Sequence, residues 1–121
     1  MKTILIVDDN KHVLDGLEQM LSERYFTAGT MDFDAAFRLA KSVSLDLIII
    51  DIDLRGCPTG IELCQRLRGE ANTRHIPVLM LTGLADDEAK TRAFEAGADH
   101  YVEKPALPAE LLAWIDSKLR H

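Results

Sequence analysis

The sequence predicts an α/β fold, a doubly wound parallel sheet covered by helices on both faces. Short apolar runs alternate five times with stretches of helical periodicity, the pattern of successive βα units. One run, Leu47-Ile48-Ile49-Ile50, is aliphatic throughout, as befits a strand buried on both sides. The runs also end in polar residues. Ile4-Leu5-Ile6-Val7 stops at Asp8-Asp9, Leu47–Ile50 stops at Asp51, and Val78-Leu79-Met80-Leu81 stops at Thr82. Tyr101-Val102 leads through Glu103 to Lys104-Pro105.

The first strand is read at Thr3–Val7, and the helix after it places Val13, Leu14, Leu17, Met20 and Leu21 on one stripe. A second strand is read near Phe26–Thr30, where the apolar signal is weakest. Asp32 or Asp34 can cap the next helix, whose Phe33, Ala36, Phe37 and Ala40 share a face. The third strand is Leu47–Ile50. The loop Leu54–Thr59 leads to Gly60 and a helix with Ile61, Cys64 and Leu67 inward. Val78–Leu81, entered through Ile76-Pro77, is the fourth strand; Asp86 or Asp87 caps the fourth helix and Gly97 ends it. The fifth strand lies near His100–Val102, and a last helix from about Pro108 carries Leu111, Leu112, Ile115 and Leu119 on one stripe.

With 121 residues the chain fits one compact domain, read as spanning 1–121, able to bury roughly two thirds of its unfolded surface. Lys and Arg number 14 against 20 Asp and Glu, a net charge of −6. That balance argues against direct nucleic-acid binding, which needs basic patches that release counterions. The apolar start is four residues long and runs into aspartates, unlike a signal peptide, and no apolar stretch approaches the ~20 residues that cross a bilayer. The expected location is cytoplasmic, away from membranes. Cys57 and Cys64 fit no zinc or CxxC spacing. Cys64 reads as a small buried hydrophobe, and Cys57 as a loop thiol. The four histidines show no ligand spacing.

In open parallel sheets, ligands bind beyond the carboxyl ends of the strands. Asp8, Asp9, Asp51, Thr82 and Lys104 all fall at such ends. Taken singly, each has an ordinary explanation: an N-cap for Asp8 or Asp9, a strand-end hydroxyl for Thr82, a solvated lysine for Lys104. An acid directly after Ile48-Ile49-Ile50 has none. Three carboxylates this close repel one another unless a cation or proton compensates, and Mg²⁺ suits an all-oxygen site. Such a metal would neutralise a phosphoryl group arriving at Asp51, while Lys104 supplies a second positive charge and Thr82 a hydroxyl donor. Phosphoryl transfer asks mainly for positioning and charge neutralisation, so the set is sufficient.

These motifs make the chain resemble the response-regulator receiver domain of two-component signalling over nearly its whole length. The motifs are Ile6-Val7-Asp8-Asp9, Asp46-Leu47-Ile48-Ile49-Ile50-Asp51, Leu81-Thr82-Gly83 and Gly97-Ala98-Asp99-His100-Tyr101-Val102-Glu103-Lys104-Pro105. The resemblance implies a flavodoxin-like, five-stranded sheet in the order 2-1-3-4-5 with five helices. It implies that Asp51 is the phosphoacceptor, taking a phosphoryl group from a sensor histidine kinase or phosphotransfer protein. Asp9 would bind Mg²⁺ directly, Asp8 through water, and Asp53 through its backbone carbonyl. Thr82 and Lys104 would contact the phosphoryl oxygens. Thr82 and Tyr101 would act as the switch pair reshaping the face formed by helix 4, strand 5 and helix 5. Downstream, that face would meet a separate protein, an attached output domain or a second copy of the chain. The Lys104-Pro105 bond is often cis in such domains.

The chain departs from the family pattern at Arg55, where proline is frequent, and at Ala106, where phenylalanine is usual; its 51–60 loop is one residue longer than the common form. Asp53 and Leu84 stand where such domains tune water attack on the acyl phosphate. Trp114 falls off the apolar stripe of the last helix and reads either as a partner contact or as partial core cover. A rival reading is a haloacid-dehalogenase-like phosphatase using Asp51-Ile52-Asp53, with Asp53 as general acid. That motif belongs on a first strand, however, and little chain is left for a cap. A flavodoxin is disfavoured because no Ser/Thr/Gly-rich phosphate loop follows the first strand.

Overall fold

The computed structural model describes residues 1–8, 10–52, 59–82, 87–103 and 108–119. Its elements run β1 (Thr3–Val7), α1 (Lys11–Leu21), β2 (Phe26–Thr30), α2 (Phe33–Ser42), β3 (Leu47–Ile52), α3 (Thr59–Arg68), β4 (Val78–Thr82), α4 (Asp87–Glu95), β5 (His100–Glu103) and α5 (Pro108–Leu119). The strands form one sheet in the order β2-β1-β3-β4-β5, every pair parallel. The predicted fold class and strand order are therefore those of the molecule.

Successive side chains of a strand face opposite sides of the sheet, and here each side has its own core. Leu5, Val7, Ile48, Ile50, Val78 and Met80 join residues of α2, α3 and α4 in one cluster. Ile4, Ile6, Leu47, Ile49, Leu79 and Leu81 join Leu14 and Leu21 of α1 and Leu111, Ile115 and Leu119 of α5 in the other. This is why β1, β3 and β4 read as unbroken aliphatic runs rather than alternating ones. β2 is weaker in sequence because it is an edge strand, and its Phe26 is 58% exposed.

Three strand ends differ from the sequence reading. β3 does not stop at Ile50: Asp51 and Ile52 pair with Leu81 and Thr82, so the ladder carries the acid one residue inside the strand. β4 likewise includes Thr82, and β5 includes Glu103. The cap of α1 is Asn10, whose Oδ1 accepts the N–H groups of His12 (2.9 Å) and Val13 (3.4 Å). Of the two candidates for α2, Asp32 is the cap and accepts the Asp34 N–H. α4 ends as its glycine predicts. Gly97 takes φ 108°, and the N–H groups of Gly97 and Ala98 donate to the carbonyls of Phe94 and Ala93, a Schellman pair. Asp86 and the 53–58 loop, with Arg55 and Cys57, lie outside the described residues.

Cys64 is buried as predicted, its thiol donating to the Ala96 carbonyl at 3.4 Å, and burial pushes its pKa up to about 11. Trp114 takes the core-cover reading: it packs against the α1/α5 cluster. Its indole also stacks on the His100 imidazole, with centroids 4.6 Å apart and planes 9° from parallel. Asp116, two residues further along α5, accepts from Arg24 and from the Tyr25 hydroxyl, tying α5 to the segment before β2.

Two predictions follow from this packing. Ile49 is fully buried in the central strand, so Ile49→Ala is expected to cost about 3 to 4 kcal/mol in urea denaturation, with the slope of the transition unchanged. The second concerns His100, whose pKa lies below its ordinary 6.5 because of burial and, secondarily, the charge of Lys90. A histidine that is harder to protonate when folded leaves stability intact above about pH 6.5 and erodes it as the pH falls below that value. Trp114 is the only tryptophan, so its fluorescence titration should show a midpoint below 6.5 that vanishes in His100→Gln. An unaltered titration in that variant contradicts the stacked pair.

Candidate functional site

The site is assembled by strand ends. β1 and β3 are neighbours with Val7 opposite Ile50, so Asp8 and Asp51 are the next residues of two adjacent chains, whose backbones run about 5 Å apart. Asp8 is fully buried. Its N–H continues the ladder to the Thr30 carbonyl at 3.2 Å, and its Oδ1 accepts the Asn10 N–H at 2.9 Å. The turn that starts α1 thereby fixes the carboxylate, and Asn10 rather than Asp8 does the capping. Asn10 is a contributor that sequence reading missed, although an Asx residue directly before a helical stripe was the available signal.

Asp51 is 8% exposed and sits in β3 opposite Leu81 of β4. It follows the parity of Leu47 and Ile49, which places it on the α1/α5 side of the sheet. Thr82 ends β4 on the same rim, in register with Ile52 on one side and Glu103 on the other. Lys104 follows Glu103 directly in the chain but lies outside the described residues, as do Asp9, Asp53, Leu84, Lys104-Pro105 and Ala106. The topology thus brings Asp8, Asp51 and the Thr82 backbone to one edge, and the last described residue before Lys104 reaches that edge as well.

Tyr101 lies in β5 two residues before the rim and is buried on the α2–α3–α4 side. Its ring meets that of Phe94 on α4, with centroids 6.4 Å apart and planes tilted by 44°. The predicted switch aromatic is therefore packed between its strand and α4.

Asp8 and Asp51 are carboxylates on neighbouring strands and both are withdrawn from water, and burying a charged group is costly unless a partner of opposite sign accompanies it. Their oxygen-only chemistry fits a hard divalent ion such as Mg²⁺. Asp8 and Asp51 are the two of the four predicted metal ligands that the structure describes.

Comparisons with known proteins give the family. The chain is 35% identical over 120 residues to the phosphate regulon transcriptional regulatory protein PhoB of Escherichia coli, covering 98% of this chain and 52% of PhoB. It thus spans about half the length of the curated relatives it matches. A putative response regulator from Chloroflexus aurantiacus superposes with a TM-score of 0.89 at 36% identity, covering 99% of this chain and 98% of that one. A response regulator from Burkholderia pseudomallei, solved with a phosphorylated aspartic acid, a calcium ion and citrate, gives 0.82 at 30% identity, covering 93% and 65%. The phosphatase reading gains no support, since its Asp-x-Asp would stand on the third strand rather than the first. Residues 4–116 match the response regulator receiver domain family, and the chain belongs to that family of two-component signalling domains.

Proposed function

We propose that Asp51 is the phosphoacceptor of this receiver domain. A carboxylate oxygen of Asp51 attacks the phosphorus of a phosphohistidine on a sensor histidine kinase or phosphotransfer protein. The P–N bond breaks, the imidazole leaves with its electron pair and takes up a proton, and an acyl phosphate remains on Asp51. The observation that carries this reading is a buried carboxylate near the carboxyl end of the aliphatic central strand, beside a second buried carboxylate directly after the neighbouring strand.

Asp8 and Asp9, with the Asp53 carbonyl and Asp51 itself, are the residues that would hold Mg²⁺. Bound there, the ion would neutralise phosphoryl charge as it accumulates. Thr82 donates its hydroxyl and Lys104 its ammonium to the phosphoryl oxygens. The Asn10 N–H holds Asp8 in place for this task. The chain so read catalyses its own phosphorylation and later hydrolysis, without turning over an external substrate. The phosphorylated aspartate and calcium of the Burkholderia relative support both the acceptor and a divalent ion.

The response is a population shift, in which Thr82 and Tyr101 bias the α4–β5–α5 face toward a conformer that binds a partner. That partner is a downstream protein, an attached output domain or a second copy. PhoB is named a transcriptional regulator, so any nucleic-acid contact of a longer protein would fall to such an output domain rather than to this acidic chain. No helix among the described residues is long and apolar enough to cross a membrane, and we assign the domain to the cytoplasm.

Brief incubation with acetyl phosphate and Mg²⁺, followed by intact mass, should show one base-labile phosphoryl group per chain. Asp51→Asn should abolish the adduct, EDTA should prevent it, and Asp8→Asn should slow its formation at least about tenfold, the loss of roughly 1.4 kcal/mol of transition-state stabilisation. An adduct that persists in Asp51→Asn overturns the assignment.

A further inference from the structure

β2 stands at one edge of the sheet and pairs with β1 alone. In a parallel ladder, alternate residues of an edge strand address the neighbouring strand and the others face away from it. The Phe26 N–H donates to the Lys2 carbonyl and the Thr30 carbonyl accepts the Asp8 N–H, so Phe26, Ala28 and Thr30 address β1. Thr27 and Gly29 therefore aim their N–H and carbonyl groups outward. Native edges of this kind are commonly guarded by charge, by proline or by a bulge. Phe26-Thr27-Ala28-Gly29-Thr30 is uncharged and lacks proline, and its register against Thr3–Val7 is unbroken. β5, at the opposite edge, carries His100 and Glu103. Glu18 of α1 occupies the space a Cβ at Gly29 would need, so it sits over the face of the sheet rather than across the edge.

The edge is complementary to itself. Set antiparallel against a second copy about Ala28, the outward groups of Thr27 meet those of the partner's Gly29, and the reverse holds as well. Ala28 then lies opposite the partner's Ala28, whose small side chain permits close approach. Phe26, 58% exposed, lies opposite the partner's Thr30, an aromatic and β-branched pair of the kind that stabilises sheets. Beyond the strand, Arg24 and Asp32 stand equally far from Ala28 on its two sides. Each guanidinium thus comes to the end where the partner's Asp32 stands. Arg24 is steadied by Asp116 while its side chain is 57% exposed, and Asp32 is exposed although its carboxylate caps α2. Sliding the copies by one pleat repeat sets Phe26 against the partner's Asp32 or Arg24 against the partner's Thr30, and either loses a match.

We propose that β2 is a homodimerisation edge, at which a second copy of the chain adds antiparallel and continues the sheet across a two-fold axis beside Ala28. A short edge covers little surface, so the association is weak and depends on concentration. It uses the edge opposite β5 and requires no phosphoryl group, so it leaves the α4–β5–α5 face free.

Sedimentation velocity of the unphosphorylated 121-residue chain, in a concentration series reaching about 1 mM, tests this. A monomer–dimer equilibrium is expected that weakens as salt rises. Thr27→Pro removes an N–H that points away from β1 and should raise the dissociation constant at least about tenfold. Asp32→Asn keeps a capping side chain for α2 and should raise it about threefold. Asp51→Asn should dimerise as the wild type does, so the outcome is independent of the phosphoacceptor. In a Cys57→Ser background, which leaves buried Cys64, mild oxidation should link Ala28→Cys chains into dimers faster than Thr30→Cys chains, because only position 28 faces its own copy. Should the proline variant not fold, the cross-linking comparison and Asp32→Asn still decide. A chain that stays monomeric throughout the series, a dimer that folded Thr27→Pro leaves unweakened, or equal cross-linking at both positions overturns the proposal.

Discussion

β3 is flanked by β1 and β4 and covered on both faces, and much of the molecule follows from that double burial. Along Leu47–Ile50 every side chain meets one of two cores and the backbone is committed to its neighbours. Charge is therefore confined to the strand's carboxyl end, where the sheet gives way to loops. Placing Asp51 there, and Asp8 at the matching point of β1, concentrates negative charge at the lip of a low-dielectric slab. Electrostatic interactions are strong in such a place, so a cation or a phosphoryl group arriving at it has large leverage over the local structure.

The two faces of the sheet are used differently. On one, α1 and α5 bury leucines and isoleucines, and α5 is tied further by Asp116 to Arg24 and Tyr25. On the other, α2 and α3 pack with Phe37, Ile61, Leu63 and Leu67, while α4 contributes alanines. Small side chains give a helix little grip on a sheet, because the hydrophobic gain scales with the apolar area removed from water. Among the described residues, those that α4 and its terminal turn bury are alanines, and polar contacts at the carboxyl end of the helix add to that packing.

The strand ends were legible in the sequence because burial on both faces forces an aliphatic run, and a run must stop where water begins. The helices were legible from their stripes, and Gly97 from its position after one. β3 and β4 ran longer than their apolar runs because pairing between neighbours, which no single strand's sequence displays, carried Asp51 and Thr82 into the ladder. The choice between Asn10 and Asp8 as a cap needed the fold, since both residue types can cap: Asn10 accepts the first N–H groups of α1 while the Asp8 backbone pairs with β2. Arg68 carried no signal at all. A basic residue in the last turn of a helix is commonplace, and its partners, the Gly97, Arg74 and Ile76 carbonyls and the Asp99 carboxylate, are brought near by folding rather than by spacing.

Cys64 carries a chemical consequence. A thiol with its pKa near 11, enclosed between α3 and the end of α4, is protonated throughout the physiological range and shielded from solvent. Thiolate is the reactive form toward peroxides and electrophiles, so this sulfur stays outside redox chemistry while the fold is intact. At this position the fold is blind to the oxidation state of its surroundings, and a change of charge at the rim is kept separate from one of redox state.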